Sequence, residues 1–317
     1  MKELVIGIDI GGTFTKFGFV DREGHFLAEG VAPTDAFNNV EDYLENLVDE
    51  MKKAGQAIQE PYKIIGVGIG APNGNYHQGT VENAPNLKWK GIVPLAELFG
   101  KYYDVPTRLT NDANAAALGE MIYGGAKGMK DFIMITLGTG LGSGIVVNGD
   151  LVYGHDGFAG ELGHVNVVKD GRQCGCGRLG CLETYVSAPG IKRTVFELLA
   201  LNHENSELAE YAFNDLDSEM IFKAAQKNDP VALKAFDITG KILGTKLADS
   251  VAHTSPEAIF LFGGLAKSGD FIFHPTRKYL EENLMGIFKN KVRVLPSGLM
   301  DKNAAILGAG ALIWKDK

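Results

Sequence analysis

One local pattern is written twice in this sequence. Leu4 to Ile10 is an apolar, strand-like run that breaks at Gly11-Gly12 and resumes as a strand over Thr15 to Val20. Asp131 to Leu137 does the same, breaking at Gly138-Thr139-Gly140-Leu141-Gly142 and resuming over Ser143 to Val147. A chain that repeats strand, glycine turn and strand is constrained to two halves that open alike. Its two turns are then expected to face each other across a cleft and grip one polyphosphate between them.

The remaining periodicity fills in an α/β chain. Phe26 to Gly30 follows the first pair of strands across the turn Asp21-Arg22-Glu23-Gly24, which predicts a β-meander. Val40, Leu44, Leu47, Val48 and Met51 share one face of a helix over residues 40–54. Ile64 to Ile69 reads as a buried strand stopped by Pro72-Asn73-Gly74, and Pro106 to Thr110 as another, feeding Asn111-Asp112 and an alanine-rich helix to about Tyr123. From Ser187 onward the pattern is helical, with Pro189 suited to a helix start. Ala258 to Phe262 is a strand closed by Gly263-Gly264, and an apolar helix runs from Ala304 to Trp314. A length of 317 residues favours two domains, and 45% hydrophobic content supplies two cores.

Glycine at the first turn lets backbone N–H groups approach phosphate oxygens with no Cβ in the way, so Gly11 and Gly12 are candidate nucleotide contacts. Thr13 and Thr15 add hydroxyls, Lys16 adds positive charge, and Asp9 can hold Mg²⁺ through water. A plain hairpin turn is the alternative, which the second turn, Gly138, Thr139 and Gly140, weighs against. Gly263 and Gly264 suit the ribose or adenine edge of a nucleotide, or mark an ordinary turn. No G-x-x-x-x-G-K-[ST] occurs. Gly66-Val67-Gly68-Ile69-Gly70 matches the letters of a dinucleotide fingerprint but lies inside a strand pattern with Pro72 where a helix should start, and it is rejected.

All three cysteines fall in one segment, Cys174-Gly175-Cys176-Gly177 and Gly180-Cys181-Leu182-Glu183, preceded by His164. Three thiolates and one imidazole form a closed N/S set for a structural Zn²⁺, with no position left for water. A redox cysteine cluster is the alternative. An odd cysteine count confined to one motif builds no disulfide framework, so a reducing, cytoplasmic compartment is expected. No apolar run approaches the roughly 20 residues of a membrane helix. The net charge of −8, with dispersed Lys and Arg, argues against a nucleic-acid surface.

Taken together, Asp9 to Lys16, Asn111-Asp112, Leu137 to Gly144, Gly160-Glu161-Leu162-Gly163-His164 and the cysteine segment resemble the ROK family of bacterial sugar kinases and sugar-responsive repressors. The resemblance implies an actin-like ATPase fold, with duplicated ribonuclease-H-like domains binding ATP and sugar in an interdomain cleft. The expected division is 1–111 plus the C-terminal helix 303–317, against 112–302 with the zinc loop. By its place between a strand and a helix, Asp112 is either a helix N-cap or a group at the mouth of a cleft. The resemblance makes it the catalytic base for the sugar hydroxyl, kept ionised by the helix N-terminus, and makes Asn111 a sugar ligand. It likewise implies that Glu161 and Glu183 accept from sugar hydroxyls, where each alone reads as a capping or solvated carboxylate. His164 then holds zinc through one ring nitrogen and sugar through the other. Asn86, after Pro85, is a further candidate sugar contact or simply a turn residue.

The expected activity is therefore ATP- and Mg²⁺-dependent phosphorylation of a hexose, glucose first, with N-acetylglucosamine, N-acetylmannosamine, fructose, mannose and allose as alternatives. A homo-oligomer, dimer or tetramer, is expected by analogy. The non-enzyme alternative is a sugar-responsive regulator of the same family. Those carry an N-terminal DNA-binding domain, whereas this sequence begins directly in the strand leading to Asp9.

Overall fold

The computed structural model describes residues 1–201, 205–300 and 303–315. The backbone forms two compact units: Met1–Gly128 with Leu151–Gly160 and Asp301–Lys317, and Met129–Asp150 with Glu161–Met300.

The first unit opens with β1 (Lys2–Ile10), β2 (Phe14–Val20) and β3 (Phe26–Pro33), the expected meander. Helix α1 (Val40–Gln56) follows, started by Asn39, whose side chain accepts from the N–H of Asp42. Its buried face carries Val40, Leu44, Leu47, Val48 and Met51, as read from the spacing, and adds Tyr43; each such aliphatic side chain contributes roughly 1.5–3 kcal/mol. Next come β4 (Tyr62–Gly70), a small sheet of β5 (Gly74–Asn75), β6 (Thr80–Glu82) and β7 (Ile92–Val93), then α2 (Leu95–Gly100), β8 (Thr107–Thr110) and α3 (Asp112–Tyr123). The main sheet runs β3-β2-β1-β4-β8, with β1 antiparallel to β2 and parallel to β4.

The closing helix Ala304–Trp314 returns to this unit and is buried along its length. It lies against β1, β4 and α3 so closely that a Cβ on Gly7 would overlap the carbonyl of Ile306, and one on Gly68 that of Ala309. That explains Gly66 and Gly68 of β4, where a Cβ would meet Ile313 and Ala309 of the closing helix. It also moves the boundary: α3, expected to open the second domain, packs on the closing helix in the first unit.

In the second unit β9 (Phe132–Leu137) and β10 (Leu141–Val147) pair across the second glycine turn, and the chain leaves through β11 (Asp150–Leu151). Helices α4 (Ala188–Leu201), α5 (Ser218–Gln226) and α6 (Pro230–Thr254) precede β12 (Ala258–Phe262), α7 (Asp270–Asn283) and β13 (Arg293–Pro296). The sheet order β11-β10-β9-β12-β13, with β9 antiparallel to β10 and parallel to β12, reproduces the first sheet strand for strand. The repeat read from the glycine turns is thus a repeat of topology. No helix among the described residues is long and apolar enough to cross a membrane.

Candidate active site

In the first unit the turn between β1 and β2 is closed by Gly11, whose N–H donates to the Phe14 carbonyl at 3.1 Å. Asp9 and Lys16 are cross-strand partners flanking it. The backbone of Asn86 reaches this turn: a Cβ on Gly12 would sit 3.0 Å from the Asn86 carbonyl oxygen. Leu87 and Trp89 are buried beside Asn86, while the Lys90 ammonium donates to the carbonyls of Ala84 and Pro85 at 2.9 and 3.0 Å. Thr13 is exposed at the turn. Thr15 is not available there: it is fully buried, and its hydroxyl bonds those of Thr34 and Tyr43, each at 2.8 Å. Alternation along β2 turns it inward, which corrects its expected place among the phosphate contacts.

At the start of α3 the N-cap is Asn111, whose Oδ1 accepts from the N–H of Asn114 at 2.7 Å. Asp112 is the first helical residue, and its carboxylate accepts from the Ala113 N–H at 2.8 Å. The helix end does not act alone on this carboxylate. Desolvation by surrounding protein raises its pKa, outweighing the helix N–H groups that pull it down. The side chain is still open to water, so the shift reflects the mass of protein around it rather than a dry pocket. Asp9 is raised to about 6, first by burial and then by the charge of Asp112, with Lys16 opposing. A carboxylate at Asp9 whose ionisation is disfavoured by burial and by the charge of Asp112 fits a divalent cation, whose charge would relieve it.

In the second unit Gly138 N–H donates to the Gly140 carbonyl at 3.0 Å, and the Gly138 carbonyl accepts from Ala188 at the head of α4. Gly140 faces Glu183: a Cβ there would lie 2.7 Å from Oε2, the oxygen that accepts from Leu141 N–H at 3.4 Å. Thr139 is exposed at the apex. Gly263 follows β12 with φ of +103°, where a Cβ would lie 2.5 Å from the Leu137 carbonyl oxygen. Gly264 starts the next turn. Gly263 therefore lets the end of β12 lie close against the end of β9, while space is open beside Gly264.

The donor atoms of His164, Cys174, Cys176 and Cys181 all lie within 4.8 Å of one another. Tetrahedral zinc with Zn–S of about 2.3 Å and Zn–N of about 2.05 Å demands edges of about 3.8 Å between sulfurs and about 3.6 Å between sulfur and nitrogen. The distances are 3.7 Å for Cys176 Sγ to Cys181 Sγ and 3.6 Å for Cys174 Sγ to His164 Nδ1. The donor set fits the metal. Gly177 and Gly180, at φ of +88° and +74°, let the loop fold around it. With Nδ1 turned to the cysteines, Nε2 of His164 faces Glu161, 3.9 Å from its Oε2. Glu183 turns Oε1 toward Cys174 Sγ at 3.0 Å and stands 3.8 Å from His164 Nδ1. Glu161, His164 and Glu183 are thus one cluster.

Arg172 escaped sequence reasoning. Its Nη1 donates to the carbonyls of Thr184 and Gly190, its Nη2 to Thr194 and Glu197, and its plane lies 4.3 Å over the Tyr185 ring. It ties the cysteine loop to α4. An arginine in a polar loop carries no local signal of such a role.

The profile of the ROK family matches residues 5–316. A glucokinase of Streptomyces coelicolor is 36% identical over 314 residues, covering 98% of this chain and 97% of that one. A xylose repressor of Bacillus subtilis is 29% identical over 97% of this chain but 76% of its own length. Among solved structures, a ROK family glucokinase from Streptomyces griseus in complex with glucose and AMPPNP superimposes with a TM-score of 0.80 at 35% identity, over 98% of each chain. With a repeated sheet topology, a His-Cys₃ loop and these likenesses along its length, the chain has the actin-like ATPase fold and belongs to the ROK family.

Proposed function

We propose that this ATP-dependent sugar kinase phosphorylates a hexose, with glucose as the preferred acceptor and Asp112 as the base. The coarser class stands on the glucokinase relatives, matched over nearly their whole length. The finer assignment is carried by one observation: a water-accessible carboxylate at the head of α3, its pKa raised, acting electrostatically on Asp9 beside a glycine turn.

The first unit carries Asp112 and the turn at Gly11 and Gly12; the second carries Glu161, His164, Glu183 and the turn at Gly138 to Gly140. Asp112 accepts the proton of the attacking hydroxyl. A raised pKa makes it a better acceptor near neutral pH than an ordinary carboxylate. The proton leaves late in a loose phosphoryl-transfer transition state, so positioning outweighs basicity. Asn111, with Oδ1 spent on its cap, offers its NH₂ to a sugar oxygen. Glu161 and Glu183 accept from ring hydroxyls, and His164 donates from Nε2 because zinc on Nδ1 would fix that tautomer. Magnesium near Asp9 would screen phosphate charge. Buried hydrogen bonds of this kind discriminate strongly between epimers. The test is a panel of hexoses and N-acetylhexosamines with MgATP in a coupled ADP assay. Glucose should give the highest kcat/KM; turnover of none would sink the reading, and a preference for an N-acetylhexosamine would replace its substrate.

A further inference from the structure

Beside the second glycine turn lies a polar cavity of about 170 Å³, walled in part by Thr139, Gln173, Gly175, Glu183, Ser187 and Arg193. Most of its polar groups are committed elsewhere. Ser187 donates to the Glu183 carbonyl at 2.6 Å and accepts from Gly190 N–H. Thr184, also on the wall, donates to the Cys181 carbonyl at 2.7 Å. The Glu183 carboxylate is turned to Cys174 and Leu141.

Two groups are left over. Arg193, half-buried on α4, makes a single 3.4 Å contact from Nη1 to the Gln173 carbonyl and has no carboxylate partner among the described residues. The Thr139 hydroxyl, exposed at the turn, has no side-chain hydrogen bond among the described residues. The contrast with Arg172, which also binds α4 and has every guanidinium nitrogen engaged, is informative. A second arginine in the same neighbourhood keeps most of its donors free, on the wall of a cavity that also carries Thr139 of the glycine turn.

We propose that Arg193 is a substrate-binding residue that holds a phosphate group of the nucleotide donor in this cavity, together with the Thr139 hydroxyl. The inference rests on the kinase reading above and extends it to a residue the motifs did not mark. A guanidinium matches phosphate by two parallel N–H donors, a geometry an ammonium does not reproduce.

Arg193→Gln and Arg193→Lys are compared with the unaltered protein, varying MgATP at saturating glucose and glucose at saturating MgATP. Losing charge-assisted bonds of this kind predicts an ATP KM raised about 10- to 100-fold in Arg193→Gln, partly restored by lysine, with the glucose KM held within about twofold. An unchanged ATP KM, or ATP and glucose KM rising together with early unfolding, overturns the assignment. Calorimetry with inorganic tripolyphosphate and no sugar separates it from the kinase reading. Binding by the unaltered protein that Arg193→Gln loses supports the role of Arg193 even if no hexose is turned over, and equal binding by both proteins, or none by either, refutes it.

Discussion

Replacing Arg172 by methionine should be among the most costly single changes in the second unit. The methionine keeps an apolar stem but removes every donor. The Thr184 carbonyl loses its 2.8 Å partner, and its buried site makes an orphan acceptor worth about 1–3 kcal/mol. Gly190 loses one of its acceptor contacts but keeps Thr194, so about 1 kcal/mol is assigned there. The stack on Tyr185 adds about 0.5–1 kcal/mol. Glu197 is 57% exposed, so its two-pronged ion pair adds no more than about 1 kcal/mol. The sum, roughly 2.5–6 kcal/mol, corresponds to a thermal midpoint lowered by about 5–24 °C in a unit of this size. Because Arg172 stands two residues before Cys174, bound zinc should also leave faster. Circular dichroism melting and chelator-monitored zinc release measure both; Arg172→Lys should recover only a minor part. A methionine variant melting within about 2 °C of the parent would refute the reasoning.

Asp112→Asn should lower kcat by about 10²- to 10⁴-fold while glucose still binds in calorimetry, and near-normal turnover would remove the base. The acid limb of kcat/KM should lie above the ordinary carboxylate range, because the raised Asp112 pKa must be passed before the base ionises. Asp9 has its pKa raised from 3.8 to about 6, so its contribution is most favourable below 3.8 and is lost as pH rises through 6. Without magnesium, Asp9→Asn should therefore be more stable than the parent at neutral pH, by up to about 3 kcal/mol, and the gain should vanish in acid; denaturant titrations at several pH values decide it. Cys176→Ser should lose zinc by elemental analysis and unfold earlier, whereas Glu183→Gln should raise the sugar KM more than the ATP KM.

Periodicity was a sound guide wherever one face of an element meets a core. The meander, α1 and the two strand-turn-strand openings were legible because alternation and heptad-like spacing record burial directly. The gathering of His164 with Cys174, Cys176 and Cys181 was legible because residue type and spacing are local. What escaped needed the third dimension. Thr15 looks like a neighbour of Thr13 on paper, but strand alternation sends it into the core against Tyr43. Asn111 and Asp112 both suit a cap, and only the backbone says that Asn111 takes it. The raised pKa of Asp112 comes from desolvation by the protein around it, which no motif records. Arg172 and Arg193 are two arginines of ordinary context whose difference lies entirely in which acceptors surround them.

The closing helix Ala304–Trp314 belongs to the unit that begins the chain. Since synthesis runs from the N-terminus, a nascent chain halted after residue 300 holds every strand of the second sheet but lacks the helix that β1 and β4 were shaped to receive. The glycine-lined seat at Gly7 and Gly68 stays uncovered until residues 304–314 have been made. The sheet begun at residue 2 is thus completed only after the whole of the second unit has been synthesised.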